Sequence, residues 1–260
     1  MLLRKISICL ILLIIMSTLA VMTGCNVITG SGKIQTWDMP YSDFTKIEVG
    51  WAFDVEVTRS DSYQVRITID ENLYDYLRVN KQGDTLHIGL KQNYVYTNLT
   101  QQAVVTLPDL HRLELSGASK AVVSGFSTSH DVDFELSGAS RMDLENLEAI
   151  DSDFNLSGAS EVTGSLNIAD GRFDLSGASS LELEGSADDI SIEASGASDV
   201  ELSNLSAFNA EVELSGASDA AINASGRLDV DLSGASELKY VGSPTLGSIS
   251  TSGGSSIKPK

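Results

Sequence analysis

Cysteine is almost missing from this chain. Only Cys9 and Cys25 occur, so everything after residue 25 can hold no disulfide and must be stabilised by packing alone. Histidine is nearly as scarce, with His87, His111 and His130 the full set. With so few soft ligands, no metal site and no cofactor are expected. Proline occurs four times, and basic residues number 17 against 36 acidic ones. The deficit of positive charge is uneven. Residues 26–115 carry 8 basic and 12 acidic side chains, whereas residues 116–260 carry 7 and 24. Such a field repels phosphate backbones and anionic lipid headgroups, which excludes nucleic acid as a partner.

Long apolar runs are also lacking, with one exception at the start. Arg4 and Lys5 precede an apolar or small-residue stretch from Ile6 to Met22, followed by Thr23-Gly24-Cys25. A charged head, an apolar stretch and small residues before a cleavage point make a secretory signal. Gly24-Cys25 resembles a lipobox, in which the cysteine takes the lipid, palmitate included, and becomes the mature N-terminus. The rival reading is an uncleaved membrane-spanning anchor. Residues 1–24 are therefore expected to be a lipoprotein signal peptide and Cys25 the lipidation site. Residues 25–43 follow as tether and entry segment. The remainder would stand outside the cytoplasm, on the cell membrane or the outer membrane, with the membrane as a partner through the lipid.

What the chain has in abundance is one tetrapeptide. Ser-Gly-Ala-Ser starts at Ser116, Ser137, Ser157, Ser176, Ser195, Ser215 and Ser233, and a degenerate Ser-Gly-Gly-Ser starts at Ser252. The spacings are 21, 20, 19, 19, 20, 18 and 19 residues. Three residues before each copy stand Leu113, Phe134, Phe154, Phe173, Ile192, Val212, Val230 and Ile249. Apolar columns also lie one before, five after and seven after, separated by charged residues, Ser or Asn. This period-two alternation marks strands with one buried face, and it excludes helical repeats of similar length. Repeats of this length predict stacked parallel coils, each stabilised by its neighbours. The tetrapeptide reads as a bend in which Gly takes a backbone angle other residues avoid. Its second serine is either an inward hydrogen-bonding group, paired with its equivalents above and below, or simply a small residue that fits a tight corner.

Residues 44–110 alternate too, as in Phe53-Asp54-Val55-Glu56-Val57, but without the repeat register. They are expected to be wider, irregular opening coils, or a sheet covering the first regular coil. Asn80-Lys81-Gln82-Gly83-Asp84 reads as a turn. One domain over 44–257 is expected, with 111–257 the regular coils and 258–260 a tail whose Lys and Pro discourage pairing at an exposed edge.

Candidate sites are few. Seven repeated serines without an accompanying histidine exclude a serine nucleophile, and no catalytic residue is expected. Two residues before the copies runs the column Glu114, Glu135, Asn155, Asp174, Glu193, Glu213 and Asp231. It reads as a solvated acidic face or a row of weak calcium ligands, although the glycine-rich nonapeptide of calcium β-rolls is absent. Tyr74, Tyr76, Tyr94 and Tyr96 alternate so that each pair would share a face. They form either a covering layer or a platform for sugars or a partner protein.

The lipobox, Phe44-Thr45-Lys46-Ile47-Glu48-Val49, Leu86-His87-Ile88 and Leu107-Pro108-Asp109-Leu110-His111-Arg112-Leu113-Glu114-Leu115-Ser116-Gly117-Ala118-Ser119 together resemble the head GIN domain family of auto-transporter adhesins. The likeness covers roughly residues 44–257. It implies an all-β, right-handed parallel β-helix and a role in adhesion or surface binding, with no catalytic residues to carry over. The expected function is thus a non-catalytic, lipid-anchored surface module that binds an envelope glycan or a surface protein. The alternatives are a β-helix enzyme that processes polysaccharide with paired carboxylates, and a purely structural spacer.

Overall fold

The computed structural model describes residues 26–260, so the segment 1–24 expected to be a signal peptide and the expected lipidation site Cys25 lie outside the described residues. From residue 112 onward the chain winds as a parallel β-solenoid. One row of strands starts at Arg112–Leu115 and continues in parallel register through Val132–Leu136, Asp151–Leu156 and Asp170–Leu175. A second row runs from Lys120–Ser124 through Arg141–Glu148 and Glu161–Asn167. In the middle coils the strands lengthen around a corner, as in Ser180–Ala194 and Asp199–Leu214, and feed both rows. A short third side closes each middle coil, where Leu147 pairs with Leu166 and Gly185 with Leu205.

The ladders follow the sequence columns. Leu113, Phe134, Phe154 and Phe173 are register partners, and all four are fully buried. Their rings stack, with centroids 4.9 Å apart for Phe134–Phe154 and 5.4 Å for Phe154–Phe173, close to the strand spacing that sets the coil rise. Another buried column escapes the sequence pattern. Val132, Ser152, Gly171, Ile190, Ala210 and Leu228 stack five residues before the tetrapeptides. Its variety has a packing cause: a methyl group on Gly171 would sit 2.9 Å from the Phe173 ring and 3.0 Å from Ile168.

Each tetrapeptide is the corner between the two rows. Its glycine has φ between 76° and 81° in all seven identical copies, a left-handed conformation that disfavours a side chain. The alanine N–H donates to the glycine carbonyl of the preceding coil at 2.7–2.9 Å, so the ladder runs unbroken through the bend. The second serine is buried in every copy and does hydrogen-bond, but only Ser218 bonds an equivalent, its hydroxyl accepting from the Ser198 N–H at 3.4 Å. In every copy the hydroxyl donates to the carbonyl of the first serine of its own turn, at 2.8–3.0 Å. Three residues is the reach of a turn, so the local acceptor is met first.

The front part stacks out of sequence order. Lys46–Val49 lies between Arg112–Leu115 and Thr85–Leu90, parallel to both. Asp54–Arg59 likewise lies between Lys120–Ser124 and Gln101–Leu107. The chain therefore builds the coil next to the regular stack first, makes the outer coil second, and crosses back at Pro108–His111. Antiparallel strands then cover the outer coil: Leu77–Gln82 on one row, and Gln64–Asp70 with Ile34–Met39 on the other. Opening coils and a covering sheet are thus both present, and the turn is a two-residue hairpin at Gly83-Asp84. The stretch expected to be a tether includes strand, because Asn26–Thr29 pairs in parallel with Tyr94–Thr97. Buried residues from Phe44 to Leu238 form one continuous core. At the far end Ser256–Pro259 makes the last rung.

Candidate functional site

Register identifies one corner that departs from all the others. Val49 pairs with Leu115 and Asp54 with Lys120, which places Gly50-Trp51-Ala52-Phe53 against Ser116-Gly117-Ala118-Ser119. Trp51 therefore occupies the glycine position and Phe53 the buried serine position. Trp51 keeps the left-handed backbone, with φ 65°, and Ala52 follows at 60°. For residues with a Cβ this conformation costs roughly 1–2 kcal/mol each. Strain of this kind persists where surrounding structure over-determines it, and functional sites are where it collects.

The indole is held but not hidden. It lies over Gly89, where a methyl group would be 2.9 Å from indole Cδ1, and it remains 38% exposed. Tyr96 meets it edge-on at 6.0 Å. Tyr76 and Tyr94 extend the cluster, 5.0 Å apart and nearly perpendicular, with Tyr96 about 6 Å from each. The Tyr96 hydroxyl donates to the Lys91 carbonyl at 2.8 Å, and Lys91 Nζ stands 5.6 Å from the Tyr76 ring. Burial, then the neighbouring Tyr94 and Tyr76 hydroxyls, raise the Tyr96 pKa above the usual phenol value, so it stays a neutral donor.

Of the four tyrosines, three come together and Tyr74 does not. Tyr74 packs on Trp37 at 4.9 Å instead. Tyr74 and Tyr76 lie on the 3-10 segment Glu71–Tyr76 rather than a strand, and at three residues per turn a two-residue step does not return to the same face. Trp51 is the residue that sequence reasoning missed. Its signal was present: residues 49–54 match the register of 115–120, with tryptophan in the glycine column.

Beside Trp51 runs a groove of about 600 Å³, lined among others by Glu48, Arg78, His87, Lys91 and Glu114. Glu48 and His87 Nδ1 are 2.7 Å apart. Burial raises the Glu114 pKa, helped by Glu135 and Glu48 in the same row. An aromatic wall with donors and acceptors of both signs suits a neutral or mixed-charge hydroxylated ligand. Ser116 and the Glu48–His87 pair share the groove, but the Ser116 hydroxyl donates to the Val49 carbonyl at 3.4 Å.

The acidic column forms a second, longer trough of about 760 Å³, containing Glu135, Asn155, Asp174, Glu193, Glu213 and Asp231. Arg172 straddles it, donating to Asp174 at 3.0 Å and Glu193 at 2.9 Å, and Arg112 bridges Glu114 and Glu135. Acids recur there at nearly every coil, and no pair differs in kind from the next. A third grouping bears on the expectation from histidine scarcity. Asp109, His111 and His130 can bring one ligand atom each within 4.8 Å of one another. The strand register Arg112↔Asp133 is an offset of 21 residues, and Asp109 and His130 are also 21 apart. The spacing was readable, but only once the coil was known.

Solved structures share this fold. A "putative adhesin" from Parabacteroides distasonis is 20% identical and covers 90% of this chain and 100% of its own, with TM-score 0.84. One from Parabacteroides merdae is 18% identical, covers 91% and 100%, and scores 0.79. A "putative lipid binding protein" from P. distasonis is 22% identical, covers 90% and 100%, and scores 0.77. A comparison with curated proteins returns no match. The family model described as "Putative auto-transporter adhesin, head GIN domain" matches residues 43–244, and the chain belongs to that family.

Proposed function

We propose that this protein is a non-catalytic surface-binding module, tethered by lipid on Cys25 outside the cytoplasm, that holds an envelope or cell-surface glycan in the Trp51 groove. The observation that carries the reading is Trp51 itself. A large aromatic side chain is kept half-exposed on a left-handed backbone where every regular coil uses glycine. Aromatic faces stack on the apolar faces of sugar rings, and the neighbouring Arg78, Asn80, Lys91, Gln92 and Asn93 supply polar partners for hydroxyls. The adhesin descriptions of the family and its structural relatives agree with a binding role. No helix among the described residues is long and apolar enough to cross a membrane.

The test is a bacterial-envelope and host glycan array probed with the purified full-length protein, its Trp51→Gly variant and its Tyr94→Ala variant. Glycine restores the residue of the regular corners, so W51G should fold while losing at least about tenfold in binding, the scale of about 1.4 kcal/mol for a lost aromatic contact. Equal binding by W51G, or no glycan bound by the wild type, would sink the reading. Mass spectrometry of the N-terminal fragment tests the tether: an unmodified Cys25 in the membrane fraction would remove it.

A further inference from the structure

We propose that Asp109, His111 and His130 bind one divalent transition-metal ion of the zinc class, and that the ion fastens the chain crossover to the first regular coil. Three observations meet here. The first is the hydrogen-bond pattern of His130. Its Nδ1 lies 2.8 Å from the Asp131 carbonyl oxygen, which can only accept, so Nδ1 carries the proton. In the neutral ring Nε2 then presents a lone pair, and it faces Asp109 Oδ1 at 2.7 Å. Two acceptors at that distance need a positive charge between or beside them.

The second observation is that a further imidazole stands at the same carboxylate. The His111 ring is stacked on His130, with centroids 3.8 Å apart and planes 4° from parallel, and its Nε2 is 3.6 Å from Asp109 Oδ2. A proton on His130 would answer one ring only. A metal ion answers both rings and the carboxylate together. Zinc-class ions take imidazole nitrogen at about 2.0–2.1 Å and carboxylate oxygen at about 2.0–2.2 Å, and the three ligand atoms already lie within 4.8 Å of one another. Parallel rings aim their lone pairs side by side, so one imidazole must tilt out of the stack to complete the set, and both rings are partly exposed. The Nδ1–H donated to a backbone carbonyl is the outer-shell contact that metal-bound histidines usually make. Two imidazoles favour zinc-class ions over calcium or magnesium, which prefer all-oxygen sites.

The third observation is where the ligands sit. Asp109 and His111 belong to the crossover that returns from the outer coil to the regular stack. His130 stands in the first regular coil, whose 21-residue spacing is the longest of the series. The additional length of that coil falls in the loop that carries the ligand. Asp84 stands beside His111 and Asp131 beside His130, so the surroundings are electronegative, although Lys46 holds Asp84 at 3.1 Å.

The experiment uses the full-length protein purified in detergent and stripped with chelator. Zinc chloride titration followed by calorimetry should show one equivalent bound, cobalt(II) should give the visible absorption of a nitrogen-containing site, and zinc should raise the melting temperature. His130→Ala and Asp109→Asn should each weaken zinc binding by more than about tenfold, the lower scale for outer-shell partners. His87→Ala, outside the cluster, should leave it unchanged. Circular dichroism establishes that each variant is folded, and if H130A does not fold, D109N decides. No saturable binding at one equivalent, or binding that survives both substitutions, would overturn the site. So would calcium or magnesium matching zinc.

Discussion

The regular coils and the front part use the same corner for opposite purposes. In the regular coils every corner has glycine outside and a hydrogen-bonded serine inside. In the coil 46–59 the same corner carries Trp51 outside and Phe53 inside. The aromatic cluster, the mixed-charge groove and the histidine pair all lie in the front part or at its junction with the first regular coil. Repetition builds a stiff body, because identical residues satisfy identical neighbours. A specific site needs residues unlike their neighbours, so it arises where the repeat is interrupted.

That contrast can be broken most forcefully in the regular coils. Gly177→Ala places a side chain at φ 80° with its Cβ 2.5 Å from the Gly158 carbonyl oxygen. The expected loss is about 2–5 kcal/mol, combining left-handed strain with overpacking, read from urea unfolding. Trp51→Gly, at the register-equivalent position, should change stability by less than about 2 kcal/mol, since relief of strain opposes the lost indole contacts. If both variants lose the same amount, the two corners are alike and the claim of stored strain fails.

Ser179→Ala removes the hydroxyl bonded to the Ser176 carbonyl. The expected cost is about 0.5–1.5 kcal/mol in the same assay. An unchanged midpoint would mean that the serine is there for its size alone.

The smallest effect concerns charge. Glu114, Asp153 and Asp170 have pKa values raised by burial and then by acids in the same or adjacent coils. A carboxylate raised on folding destabilises the fold above its folded pKa, and this penalty disappears as pH falls through that value. Asp84, Asp229 and Glu237 are lowered by basic partners, Asp229 to about 2. The stability these contribute is kept above the ordinary carboxylate range and lost below it. The melting temperature should therefore rise slightly as pH falls from 7 toward the upper edge of the carboxylate range, then fall as pH passes below that range. Added salt at pH 7 should raise it too, by screening the acidic rows. A flat profile from pH 7 down to that edge would mean that like-charge repulsion along the coils has no measurable weight.

Much of this molecule was legible in the residues. Phe134, Phe154 and Phe173 announce a buried column because one face of a strand repeats every second residue and one coil every 18–21. The tetrapeptide announces its corner because few residues tolerate a left-handed backbone. The column containing Ser152 and Gly171 was not legible, since Gly171 is dictated by the neighbouring Phe173 and Ile168 rather than by any period. Tyr74 misled because two-residue spacing means one face only if the segment is a strand.

By itself the sequence determined the repeat, its parallel stacking, its inward columns and the conformation of its corners. These are local or translational properties, set by backbone sterics and by side-chain alternation. Only the tertiary structure decided that residues 46–59 lie between 112–124 and 85–107, because chain order imposes no stacking order where the register is broken. The same crossing brings Trp51 over Gly89. Contacts between residues so far apart in the chain are fixed by which surfaces are left to bury, and no period in the sequence encodes them.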